Sequence, residues 1–105
     1  MDKLKTVYYI LKNLETKAHK YEYKGAAISP EALDVDDNHW LDVMRIIIKE
    51  ELISGAIIQE DISGGIDVDI EKVALTLKGL QYLKENNAMV KFGKFATNVI
   101  SIVKK

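Results

Sequence analysis

The sequence predicts an α+β fold, on three observations. Apolar residues recur at helical spacing from Leu4 to Leu14 and again from Trp40 to Leu52. Ile66-Asp67-Val68-Asp69-Ile70 instead alternates strictly between apolar and acidic side chains. Turn residues, Ser63-Gly64-Gly65 the clearest of them, separate the two kinds of segment. A period of three to four marks an amphipathic helix and a period of two a half-buried strand, so both element types belong to one chain.

Taken in order, Leu4, Val7, Tyr8, Leu11 and Leu14 define a helix from about Lys3 to Ala18. Tyr21-Glu22-Tyr23-Lys24 up to Ile28 has β-prone aromatics interrupted by Gly25 and admits at most a short strand. Ser29-Pro30-Glu31 supplies an N-cap, a proline where its missing N–H does no harm and a first-turn acid, opening a short helix to Leu33 or Asp34. Asp36 or Asp37 caps the next helix, which carries Trp40, Val43, Met44, Ile47, Ile48 and Leu52 and is expected to stop at Gly55. Ala56-Ile57-Ile58 and Ile66 to Ile70 form a hairpin around Ser63 to Gly65, with Asp67 and Asp69 on its wet face and Ile66, Val68 and Ile70 closing the core. Thr76 caps a helix carrying Leu77, Leu80, Tyr82 and Leu83 that ends at Asn86-Asn87. A last amphipathic helix is expected from Ala88 to about Val103. The core should gather Leu4, Tyr8, Leu11, Trp40, Met44, Ile47, Ile48, Leu52, Leu80 and Leu83.

That order of elements is the order of a winged helix-turn-helix: a three-helix core, a two-stranded wing and C-terminal helices. The 105 residues, 48% apolar and 30% charged, suit a single domain, with 1–87 as its core and 88–105 as the C-terminal helix. With no cysteine there is no disulfide framework, thiolate metal site or cysteine nucleophile. No apolar run spans a bilayer and the first residues are charged, so a cytoplasmic protein is expected.

The twelve residues Leu75-Thr76-Leu77-Lys78-Gly79-Leu80-Gln81-Tyr82-Leu83-Lys84-Glu85-Asn86 resemble the segment after the wing in winged-helix proteins, most closely in the YjcQ-like family of Gram-positive bacteria and their prophages. Lys3 to Lys12 and Val35 to Ile53 fit the same layout, so the resemblance covers most of the chain. It implies a DNA-binding-type fold and a phage or prophage association, and it brings no catalytic motif or ligand.

Enzymatic chemistry finds no foothold. His19 and His39 lie twenty residues apart, no serine has a nucleophile-elbow setting, and Gly64-Gly65 sits in a hairpin turn and not before a helix. The acids at 60, 61, 67, 69 and 71 follow strand alternation and not a calcium-loop spacing. We therefore expect no enzyme, no metal and no cofactor.

Charge placement bears on partners. Residues 1–24 hold six lysines against three acids, a net of +3. Residues 25–72 hold twelve acids against Arg45, Lys49 and Lys72, a net of −9, and residues 73–105 hold six lysines against Glu85, a net of +5. Asn38, His39, Arg45 and Lys49 occupy the exposed side of the helix that a winged helix turns toward DNA, and can contact bases and phosphates. Asp36, Asp37, Asp42 and the acids of the wing surround them and repel a duplex. The resemblance nominates a DNA-binding regulator. The charge favours a protein–protein adaptor or phage accessory protein whose acidic face takes a basic partner or mimics the charge of DNA, and it leaves the lysine-rich ends, Lys91 and Lys94 among them, as the surface open to a polyanion. Phe92, Phe95, Val99 and Ile102 form a second candidate interface, serving either the first helix or a homodimer, ahead of any membrane surface.

Overall fold

The computed structural model describes residues 2–91, with side chains as far as Asn86. It is an α+β fold. Helix α1 spans Lys3–Thr16 and is opened by Asp2, whose carboxylate accepts from Lys5 N–H at 2.9 Å. Its face of Val7, Tyr8, Ile10, Leu11 and Leu14 is buried, making α1 the element on which the others assemble.

Two 3-10 turns follow, Ala18–Lys20 and Lys24–Ile28, where at most a short strand was expected. The side chains around the second turn explain the difference. Asn13 Nδ2 donates to the Ala27 carbonyl at 2.9 Å and Trp40 Nε1 to the Ile28 carbonyl at 2.7 Å, taking acceptors that a strand would offer to a neighbour. Gly25 also lies against the backbone of Ile70, where an added Cβ would meet the Ile70 carbonyl oxygen at 2.3 Å. Helix α2, Pro30–Leu33, is capped by Ser29, and Asp34 ends it in the left-handed region.

Helix α3 spans Asp37–Lys49, and of the two candidate caps it is Asp36 that accepts, from His39 N–H at 2.8 Å. It stops well before Gly55. Glu51 adopts φ of 60°, Leu52 N–H returns to the Ile47 carbonyl at 3.0 Å and Glu51 N–H to Ile48 at 3.1 Å, the pattern of a left-handed C-terminal cap built on a glutamate.

The next segment is a broken hairpin. Strand β1, Ile53–Ser54, pairs with β4, Ala74–Leu75, while β2, Ile57–Glu60, pairs with β3, Ile66–Asp69, all antiparallel. Between the two ladders the outgoing chain spends Gly55 and Ala56, whereas the returning chain spends Ile70 to Val73. The longer return makes a bulge that drops Val73 into the core at 1% exposure. Gly55, at φ of 77°, belongs to this bulge, and a Cβ there would stand 2.1 Å from the Lys72 carbonyl oxygen.

Beyond the bulge the hairpin leaves the core. Val68 and Ile70 pack against its edge, but Ile66 is 46% exposed and does not close it. Asp67 and Asp69 are exposed, as their alternation predicts.

Helix α4, Leu77–Lys91, begins where Thr76 Oγ1 accepts from Gly79 N–H at 3.1 Å. It continues through Asn86-Asn87 instead of ending there. Asn86 Nδ2 donates to the Tyr82 carbonyl at 2.8 Å, one turn back, so this asparagine bonds within the helix and does not stop it.

The core gathers Tyr8, Leu11, Trp40, Met44, Ile47 and Leu83 as expected, together with Ile10, Ile28, Val43, Ile53 and Val73. Ile48 and Leu52 are half-buried at its margin, while Leu4 and Leu80 are 38% and 42% exposed. Among the described residues no helix is long and apolar enough to cross a membrane. Residues 88–91, expected to open a separate last helix, continue α4, and the rest of that expected helix, with Phe92, Phe95, Val99 and Ile102, lies outside the described residues beyond Lys91.

Candidate functional site

Asn38, Asp42, Arg45 and Lys49 follow one another at steps of four, three and four residues, which places them on one stripe of α3. All four are exposed. Two of the charges on this stripe are engaged by other elements. Lys3 Nζ of α1 lies 3.5 Å from Asp42 Oδ2, and the Arg45 guanidinium lies 3.1 Å from Glu60 Oε1 on β2. Lys49 has no ion-pair partner among the described residues.

His39 points elsewhere. It is half-buried, and its Nε2 lies 2.7 Å from the hydroxyl of Thr6, a fully buried residue of α1 that also donates to the Asp2 carbonyl at 3.1 Å. The ring is a tie between α1 and α3. Of the residues singled out from sequence, the structure thus groups Asn38, Arg45 and Lys49 and turns His39 toward the α1 interface.

Between the start of α3 and the hairpin lies a groove of about 400 Å³. Its apolar lining comes from Pro30, Trp40, Leu41, Ile66 and Val68, and Asp37 and Asn38 supply the polar part. Gly64 brings the hairpin tip to the same groove. The tip is a tightly bonded turn in which the Asp61 carboxylate accepts from Ser63 Oγ and from Gly65 N–H, each at 2.7 Å. These bonds, Ser63 first and Gly65 next, hold the Asp61 carboxyl below its ordinary range, because they stabilise the charged form. The consequence for shape is that Ile62, between them, stands wholly in solvent at 108% relative exposure.

Acids outnumber cations on α3 and the hairpin. Asp36 and Asp37 open α3, Glu60 and Asp61 lead into the tip, and Asp67, Asp69 and Glu71 line the returning chain, all exposed. Asp69 spends one oxygen on Glu71 N–H at 3.1 Å. Among the described residues no group of three or more histidines, cysteines or acids is placed to hold a metal ion.

The family model described as YjcQ protein matches residues 8–102. The chain belongs to the YjcQ family. No curated protein and no solved structure matches it. The YjcQ match includes the whole of α3 and the hairpin, so the groove, the Arg45–Glu60 bridge and the acidic tip all lie within the matched stretch.

Sequence reasoning missed Ile62, Ile66 and Leu41 as surface features. A signal for the first was present, since Glu60-Asp61-Ile62-Ser63-Gly64 sets one branched apolar residue in a turn that offers it no burial. Ile66 has the alternation of a core residue and is nonetheless 46% exposed, because alternation gives the face of a strand and not how far the strand runs past the core's edge.

Proposed function

We propose that the chain is a non-catalytic winged-helix binding module of phage type, whose α3 and hairpin together dock a basic protein segment and not duplex DNA. In this reading α3 takes the place of the recognition helix and the hairpin that of the wing. The observation that carries it is the Arg45–Glu60 bridge: the one arginine on α3 already has a carboxylate partner from the hairpin. Duplex affinity comes largely from neutralising phosphates, and here exposed acids stand on both elements, one of them directly against that arginine, so the face repels a duplex more than it attracts one.

The same surface suits a cationic protein. Asp36, Asp37, Asp61 and Asp67 would steer lysine or arginine side chains by long-range attraction. The groove walled by Leu41, Ile66 and Val68 accepts an apolar side chain, and Ile62 offers an anchor of its own.

The test uses a lysine-rich peptide with leucines spaced along it, titrated into the protein. The fluorescence of Trp40, the single tryptophan, reports the groove it lines. The proposal expects a saturable change that weakens with salt, is weakened by Asp37→Asn or Ile66→Ser, and is absent with a glutamate-rich control peptide. A response equal for both peptides, or one untouched by salt and by both substitutions, overturns it.

A further inference from the structure

After α1 the chain reads Lys17-Ala18-His19-Lys20-Tyr21-Glu22-Tyr23-Lys24, three lysines and two tyrosines against one acid. Ala18 and Gly25 are buried and pin this stretch to the core, while every other residue from 17 to 24 is exposed. Its first turn is closed by Lys20 N–H on the Lys17 carbonyl at 3.0 Å and by Tyr21 N–H on the Ala18 carbonyl at 3.2 Å. Side chains three residues apart in a 3-10 turn stand over one another, which puts Lys17 and Lys20 on one side. Lys17, Lys20 and Lys24 have no ion-pair partner among the described residues.

The tyrosines are open as well, Tyr21 at 41% and Tyr23 at 45% exposure. Two residues apart, their Cα atoms stand at most about 7 Å from each other. Rings so placed beside three unpaired lysines suit a ligand that carries both flat aromatic faces and negative charge. A duplex keeps its base faces stacked on one another, and an acidic peptide has the charge without the faces. A lipid surface calls for exposed aliphatic, Phe or Trp side chains, and residues 17–24 expose none. Single-stranded nucleic acid supplies both features. The hairpin sets the limit of this surface. Tyr23 shares a depression of about 360 Å³ with Gln59, Asp67, Asp69 and Glu71, whose carboxylates turn phosphates away from that side and leave the lysines as their path.

We propose that residues 17–24 bind single-stranded nucleic acid, with neighbouring bases stacked on Tyr21 and Tyr23 and the adjoining phosphates held by Lys17, Lys20 and Lys24. None of these residues lines the groove between α3 and the hairpin, so this site stands whether or not that groove docks a basic segment.

The test is the fluorescence anisotropy of a labelled single-stranded DNA of mixed sequence at low ionic strength, with its duplex form and mixed phosphatidylcholine–phosphatidylglycerol vesicles measured alongside. Binding to the single strand should be saturable and about tenfold or more tighter than to the duplex. Affinity should fall with salt at a slope of about −0.7 per phosphate held, so replacing Lys17, Lys20 and Lys24 together with alanine should shallow the slope by about two. Tyr21→Ala with Tyr23→Ala should weaken binding about tenfold or more at an unchanged slope, and phenylalanine at both positions should restore it, because the ring face is kept. The circular dichroism of each variant, all altered at exposed positions, should match that of the parent chain. The proposal is overturned by equal affinity for single strand and duplex, by tyrosine replacements that change nothing, or by binding that is lost on replacing Lys91 and Lys94 and kept in the Lys17, Lys20 and Lys24 variant. Absence of saturable binding to the strand overturns it too, and vesicle binding in its place would make the surface a membrane contact.

Discussion

The Arg45 guanidinium reaches across from α3 to the Glu60 carboxylate of β2 at 3.1 Å, with the two side chains 46% and 61% exposed. At that exposure the pair contributes about 0–1 kcal/mol to stability, and its larger effect is on what the helix presents to a partner. Glu60→Gln should therefore leave the urea midpoint nearly unchanged. It should also strengthen whatever weak, salt-sensitive attraction the protein has for duplex DNA, by releasing the guanidinium. A large fall in stability with no change in DNA response would show that the bridge is chiefly structural.

The Thr6–His39 contact makes the opposite prediction. Thr6 is fully buried, and removing its hydroxyl leaves the half-buried imidazole without its 2.7 Å partner. Thr6→Val should lower the unfolding free energy by about 1–3 kcal/mol in chemical denaturation, while Asn38→Ala, on the exposed stripe, should stay within about 0.5 kcal/mol.

Two positions after α3 have positive φ, one filled by a glutamate and the other by a glycine. Glu51 sits at φ of 60°, a conformation that costs an ordinary residue about 1–2 kcal/mol, and its exposed pairing with Lys78 offsets only part of this. Glu51→Gly should raise stability by about 1 kcal/mol. Gly55→Ala should lower it by about 2 kcal/mol or more, because the new methyl would collide with the Lys72 carbonyl in the bulge. Thermal or urea unfolding of the two variants reads both signs directly.

Tyr82 gives a pH prediction. Burial, assisted by the negative charge of Asp2, pushes its phenol up to about 12 from an ordinary value of 10.0. Because the folded protein holds this proton more tightly than the unfolded chain, the stabilisation is present in full below pH 10 and is lost as pH rises toward 12. An ultraviolet titration of the five tyrosines should show one ionising late, and Tyr82→Phe should remove that late component.

What the sequence made legible was local and periodic. The helix faces of α1 and α3, the caps at Ser29, Asp36 and Thr76, and the hairpin around Ser63 to Gly65 all follow from side chains acting within a few residues of one another. The misreadings share a different cause. Gly55 looked like a helix stop because the glutamate cap at Glu51 depends on Thr76 and Lys78, which hold its carbonyl and carboxylate from a distant part of the chain. Tyr21 to Ile28 looked β-prone because the two donors that claim its carbonyls, Asn13 and Trp40, come from other helices. Leu4 carries a correct helical period and still lines an open groove, since periodicity assigns a face without saying what covers it. At the candidate site, the exposure of Asn38, Arg45 and Lys49 was readable from helical spacing. The bridge from Arg45 to Glu60 was not, because it depends on how the hairpin folds against α3.

The most direct test of the proposed function is a fluorescence-anisotropy titration of random-sequence duplex DNA at physiological salt. The account predicts no saturable binding at micromolar protein. Submicromolar affinity, lost on Arg45→Ala and kept when Lys91 and Lys94 are replaced by alanine, would contradict it and make α3 a DNA-reading helix.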